Sequence, residues 1–296
     1  MEQAIVLKLT SARTALRQAV TRIQRLTAAP DRLRRRRWAA DRRAAPEGIR
    51  GRALSEPELA DNGFSLCSLD GTQTDRLLAA WADLKSAHSR RQDNPARPRS
   101  TGKAFFEEML SQDDLCEFPP FLETALDERV LGSVMLSMGM LPHLESIDVL
   151  RSNPVGDSLT ASQLWHYDVN DQRIIKLFVY LEDCGPENGP FTYIAAGPSM
   201  RVSGLLGHYV NDERIAAHVP RDEWRVVEGP AGTAFLIDTG RCYHFGSRSR
   251  RPRVAYVATY SSGLRFMPRS RTWGDMVSRN RLELSDLQRA VCGIAR

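Results

Sequence analysis

Apolar side chains recur every three or four positions near the start of the chain, at Ile5, Leu9, Ala12, Leu16, Val20, Ile23 and Leu26. That spacing predicts an amphipathic helix, with Arg13, Arg17, Arg22 and Arg25 on its other faces and Pro30 at its end. A charge block, DRLRRRRWAADRR at 31–43, follows. From about residue 54 the texture changes. ELADNGFSLCSLD (58–70) reads as a helix end, a turn at Asn62-Gly63 and a short strand from Phe64. TQTDRLLAAWADLKSA (72–87) has helical spacing through Leu77, Leu78, Trp81 and Leu84, and the polar stretch 90–102 predicts a loop. PPFLETALDERVLGSVMLSMGM (119–140) predicts a second helical stretch entered through Pro119 and Pro120.

After Leu141 the period shortens. HLESIDVLRS (143–152), RIIKLFVYL (173–181), PFTYIA (190–195), TAFLI (233–237) and RVAYVATY (253–260) are β-branched or aromatic runs separated by Gly, Pro, Asn and Asp. Such runs with few helices between them predict an antiparallel sandwich or small barrel, buttressed on its outer face by the earlier helices. The stretches 90–118 and 198–230 read as loops that line a pocket. The expected organisation is a basic amphipathic extension over 1–53 and one mainly-β domain over 54–296. No internal repeat is visible.

Charge follows the same division. The whole chain carries +5, from 41 basic and 36 acidic side chains. Residues 1–53 hold 14 basic and 4 acidic groups, +10, which leaves 27 and 32, or −5, for the rest. The body is mildly acidic, so the high pI does not argue for nucleic acid. The extension, over 1–43, suits a membrane surface or an acidic partner, or simply packs with a solvated basic flank. The longest early apolar run, AIVL at 4–7, is too short for a membrane span or a signal core. Five scattered cysteines without a C-x-x-C suit reduced thiols. The expected location is the cytoplasm of a bacterium, since Arg outnumbers Lys as in GC-rich genomes, with peripheral membrane contact open.

Candidate chemistry centres on QLWHYDVND (163–171). In an extended segment residues i and i+2 face the same way, so His166 and Asp168 can converge on one point. A metal ion needs a third ligand, and His244 offers it, between the strand TAFLI with its DTG turn and the strand that follows. Two imidazoles and one carboxylate on one side of an octahedral ion leave three positions open, the facial triad of non-haem Fe(II) oxygenases. Arg253, nine residues beyond His244, begins the next strand. Its two-donor fork suits the far carboxylate of 2-oxoglutarate, whose keto-acid end would take two of those positions and molecular oxygen the third. The plainer readings are an exposed His–Asp pair, a satisfied core His244, and a surface arginine competing with Arg248, Arg250 and Arg251. Lys176 shares a strand face with Phe178 and Tyr180; it snorkels outward or binds 2-oxoglutarate or an acidic substrate. Trp165 and Tyr167 read as packing residues, and His88, His143, His208 and His218 as surface or core. Cys242 is a bystander, and Glu145 and Arg151 are candidates to reach the pocket.

WHYD (165–168), KLFVYLEDCGPENGPFTYI (176–194) and HFGSRSRRPRVAYVATY (244–260), with NGFSLCSLD (62–70) as an opening strand, resemble the phytanoyl-CoA dioxygenase family of Fe(II)/2-oxoglutarate-dependent oxygenases. The likeness spans roughly 58–265. It implies a double-stranded β-helix (jelly-roll, cupin-like) core, with His166, Asp168 and His244 as iron ligands and Arg253 as the 2-oxoglutarate anchor. It also implies hydroxylation of an aliphatic C–H bond in a small or lipid-like substrate, with release of succinate and CO2. Halogenating relatives lack the carboxylate, which Asp168 retains. AAGPSM (195–200) departs from the P-G-S-H common in the family. Two other classes stay open: a metal-dependent cupin that does not use 2-oxoglutarate, and a non-catalytic binding module docked by its basic arm.

Overall fold

The computed structural model describes residues 58–91, 99–100, 105–154, 159–171, 173–262 and 273–294. The reading of 1–53 as an amphipathic extension lies outside the described residues. The apolar alternation after Leu141 forms long strands: β4 (His143–Ser152), β6 (Ile174–Tyr180), β10 (Ala234–Asp238) and β12 (Arg253–Ser261). Before them come β1 (Phe64–Cys67), β2 (Arg99–Ser100) and β3 (Phe106–Glu108). Between them lie the short strands β5 (Trp165–His166), β7 (Phe191–Tyr193), β8 (Tyr209–Val210), β9 (Arg225–Val227) and β11 (His244–Phe245).

These make two antiparallel sheets, one ordered β1-β10-β6-β12-β4-β3-β2 and the other β8-β5-β11-β7-β9. The chain alternates between them. β4, β6, β10 and β12 lie in the larger sheet, whereas β5, β7 and β11, which follow the first three of these, lie in the smaller. That winding is a double-stranded β-helix with flanking helices.

Alternation along the strands separates three apolar layers. Ile175, Leu177, Val179, Tyr256 and Tyr260 face outward from the larger sheet and pack on helices Gly71–Arg91, Pro120–Ala125 and Glu128–Met138. The hydroxyls of Tyr256 and Tyr260 donate to the carbonyls of Phe121 and Ala125 at 2.8 and 2.7 Å, pinning that buttress to β12. Between the sheets, Phe178, Tyr180, Phe235, Ala255 and Val257 meet Phe191, Tyr193 and Val227. Beyond the smaller sheet, Trp165, Tyr167, Tyr243 and Phe245 pack against Val202, Leu206 and Ile215.

The helical stretch 119–140 is two helices. Asp127 interrupts it and accepts hydrogen bonds from the Arg129 and Val130 amides at 2.9 and 3.0 Å, so its carboxylate caps the second helix. The stretches read as loops carry more structure than their polarity suggested. Helix Gln112–Glu117 starts from a capping box of Ser111 and Asp114, and 198–230 contains most of helix Ala196–Leu206, helix Asp212–Ala216, β8 and β9.

Candidate metal centre

β5 and β11 are neighbours in the smaller sheet, and their register sets His166 directly opposite His244. Asp168 lies two residues past His166, where its amide donates to the Thr239 carbonyl at 2.8 Å. One ligand atom each from His166, Asp168 and His244 lie within 4.8 Å of one another. Both imidazoles are buried, with ring centres 4.2 Å apart. His166 Nδ1 contacts the Leu164 carbonyl at 2.9 Å and His244 Nδ1 the Cys242 carbonyl at 3.0 Å. A carbonyl only accepts, so each Nδ1 carries the proton and each Nε2 keeps a lone pair for a metal.

Burial acts to raise the Asp168 carboxyl, but the Lys176 ammonium leads the opposing charges that outweigh it and hold the group well below the usual carboxylate range. Lys176 Nζ stands 2.7 Å from Asp168 Oδ2. Oδ2 is buried, and the ammonium is the one cation placed against it among the described residues. Two imidazoles with free Nε2 atoms and a charged carboxylate are the donor set a divalent first-row ion takes.

Arg253 enters the same inter-sheet space from the start of β12, on the face that carries Ala255 and Val257. Its Nη1 donates to the Gly189 carbonyl at 2.6 Å, and Nη2 lies 3.3 Å from the hydroxyls of Ser152 and Ser247, themselves 2.8 Å apart. The residue is only 5% exposed and its Nε donates to nothing. Among the described residues no carboxylate lies within ion-pair distance of this guanidinium. Gly189 lets two backbone segments approach closely beside this guanidinium. Its φ is +63, and a Cβ there would lie 2.8 Å from the backbone of Arg248 and Ser249.

The competing arginines lie elsewhere. Arg248 forks onto Asp212 at 2.8 Å and stacks over Phe245, Arg251 pairs with Glu187, and Arg250 is exposed. Arg151 does not reach the pocket. It shares the outward alternation of Ile147 and Val149 and stands 3.9 Å from Glu107. Glu145 accepts from the Ser261 hydroxyl. Cys242 packs its thiol where a Cβ on Gly63 would meet it at 2.5 Å; burial pushes that thiol's pKa up, and its carbonyl is what touches His244.

Trp165 and Tyr167 are packing residues, as their apolar character suggested. His88 lies 3.5 Å from Asp114, His218 is exposed, and His143 is buried in β4. His208 differs. Its ring lies 6.2 Å from that of His166 and 4.1 Å from that of Tyr209, beside the centre. The signal that would have found it is the pairing of Tyr209 with His166 across β8 and β5, a contact between segments more than forty residues apart.

A further buried network ties the ligand loops together. Arg173 Nε and Arg241 Nε donate to Asp238 Oδ2 at 2.6 and 2.8 Å, and Arg241 continues to the Leu59 and Ala60 carbonyls. Arg173 follows Asp168 and Asp238 precedes His244, so this cluster fixes both ligand-bearing turns.

No family model and no curated protein matches this chain. Solved structures similar to it include AviO1 from Streptomyces viridochromogenes Tue57, with 16% identity, a TM-score of 0.49 and coverage of 72% of this chain and 95% of that one. The Fe-bound EctD from S. alaskensis is similar at 15% identity and a TM-score of 0.49, over 78% of this chain and 83% of that one. SnoK, a non-haem α-ketoglutarate-dependent carbocyclase from nogalamycin biosynthesis, is similar at 17% identity and a TM-score of 0.46, over 73% and 83%. The chemistry of the centre rests on its own geometry.

Proposed function

We propose that the chain is an Fe(II)- and 2-oxoglutarate-dependent oxygenase that hydroxylates an aliphatic C–H bond of a small or lipid-like organic molecule. His166, Asp168 and His244 hold the iron. The observation that carries this reading is the coincidence of that triad, on the smaller sheet, with a buried, carboxylate-free Arg253 on the inner face of the larger one. The resemblance of WHYD, KLFVYLEDCGPENGPFTYI and HFGSRSRRPRVAYVATY to the phytanoyl-CoA dioxygenase family supports it.

Iron bound there supplies oxidation of the substrate by molecular oxygen, coupled to conversion of 2-oxoglutarate to succinate and CO2. The protein's share is geometric and electrostatic. The Leu164 and Cys242 carbonyls fix the tautomer and direction of the two imidazoles. Arg253, steadied by Gly189, Ser152 and Ser247, binds the distal carboxylate of 2-oxoglutarate. Phe178, Phe191 and Phe235 exclude water from the space between the sheets.

A cupin that uses the metal without 2-oxoglutarate has no need of an unpaired buried arginine, and Arg253 favours the oxygenase. Among the described residues no helix is long and apolar enough to cross a membrane. For residues 1–43 two readings stand, packing on the domain with a solvated basic flank or peripheral contact with a membrane surface or acidic partner. Equal vesicle co-sedimentation of the full chain and of residues 54–296 would remove the membrane contact.

The deciding experiment is anaerobic purification, addition of Fe(II), and measurement of succinate formed from 2-oxoglutarate on admitting oxygen. Slow turnover in the wild type and none in Asp168→Ala is expected. A wild type that neither binds nor decarboxylates 2-oxoglutarate overturns the reading.

A further inference from the structure

Strand register delivers a lysine to the metal-binding carboxylate. The inward side chains of β6 are Lys176, Phe178 and Tyr180, and Lys176 sits between Ile237 of β10 and Thr259 of β12. Its ammonium lies 2.7 Å from Asp168 Oδ2, with the two side chains only 22% and 19% exposed. Asp168 is the one acid it contacts among the described residues. A cation so close to a divalent-ion site opposes metal binding by simple Coulomb repulsion. Its benefit must therefore fall on the carboxylate.

A carboxylate beside a metal ion can ligate through one oxygen or both. With both, the triad fills four positions of an octahedral ion and leaves two. A chelating 2-oxo acid and molecular oxygen together need three. We infer that Lys176 is a positioning residue acting through Asp168: by holding Oδ2 it confines the carboxylate to one-oxygen ligation and keeps the third position open. This deepens the oxygenase reading and rests on it. Without the ammonium, Oδ2 is a buried anionic oxygen lacking a partner, and the metal becomes the nearest cation it can turn to. Metal affinity alone is then kept or rises, while 2-oxoglutarate, competing for a narrowed coordination sphere, binds more weakly.

The test uses the full chain under anaerobic conditions, comparing wild type, Lys176→Met and Lys176→Arg. Fe(II) is titrated first against a chromophoric chelator, then 2-oxoglutarate by the charge-transfer absorption of its chelate. The expected result is unchanged or tighter Fe(II) binding in Lys176→Met, with 2-oxoglutarate weakened about tenfold or more, the scale of one charge-assisted hydrogen bond. Lys176→Arg recovers most of that loss. Lys176→Gln takes the place of the methionine variant, with the same expectation, if the latter does not fold. Wild-type affinity for 2-oxoglutarate in the uncharged variant overturns the inference, as does parallel loss of metal and 2-oxoglutarate in a folded variant. A wild type that binds neither defeats the oxygenase reading itself, an outcome distinct from a chelating wild type matched by its variant.

Discussion

Replacing Arg253 by methionine separates an anchor from a structural arginine, because the two roles predict opposite changes in the ligand-free protein. The guanidinium has five N–H donors; one goes to the Gly189 carbonyl, Nη2 lies at the outer limit from two hydroxyls, and Nε is buried and undonated. No carboxylate neutralises it among the described residues. A buried cation without a counter-charge costs stability, so Arg253→Met in the absence of ligand should melt at the wild-type temperature or above. The ligand-bound state reverses the sign. Losing a two-point, charge-assisted contact with the distal carboxylate removes about 2–5 kcal/mol, which raises the 2-oxoglutarate KM about 30-fold to 5,000-fold. Thermal melts with and without cosubstrate give a second readout. At a hundredfold excess over Kd the wild type gains about 2.7 kcal/mol and the variant gains almost nothing. A 2-oxo acid of the same length without the distal carboxylate should serve wild type and variant equally poorly. A variant that loses stability without ligand and keeps its 2-oxoglutarate KM would refute the argument.

Asp238 carries a pH prediction. Burial acts to raise its carboxyl, but Arg173 and Arg241 dominate and lower it. Its contribution is therefore complete above the unfolded value of about 3.9 and is lost as pH falls through the folded one. Asp238→Asn should cost about 3 kcal/mol in urea denaturation at pH 7, and the gap to wild type should shrink below about pH 4; a constant gap would contradict the sign. Gly189→Ala combines a positive φ with a 2.8 Å backbone clash, so it should cost about 1–3 kcal/mol and raise the 2-oxoglutarate KM by displacing the carbonyl that steadies Arg253. Burial pushes the Cys184 and Cys242 thiols up, so both should resist alkylation in the native protein and react after unfolding; rapid native labelling would contradict their placement.

The long strands were legible because their own residues carry the period. β4, β6, β10 and β12 lie within one residue of the apolar runs read for them, and helix Gly71–Arg91 extends the run read at 72–87. His166 and Asp168 were legible from spacing and His244 from its flanking strands. The two-residue strands β5, β8 and β11 were not, since they exist only through pairing with distant partners. Helix Ala196–Leu206 was hidden by Gly197, Pro198 and Gly204, which break a helical pattern on paper but are tolerated at its first turn and exposed face. For Lys176 alternation correctly grouped it with Phe178 and Tyr180. Which way that face points depends on the opposing sheet, and only there does the lysine meet Asp168.

The central claim is that two imidazoles and a carboxylate bind one ion and leave its far side free for a chelating cosubstrate held by Arg253. Anomalous diffraction at the iron edge, from crystals grown anaerobically with Fe(II) and 2-oxoglutarate, tests it most directly. The account predicts one iron peak about 2.0–2.2 Å from Nε2 of His166, Nε2 of His244 and one oxygen of Asp168, with 2-oxoglutarate reaching from that iron to Arg253. An iron bound elsewhere, or one whose remaining positions are closed by protein side chains, would contradict it.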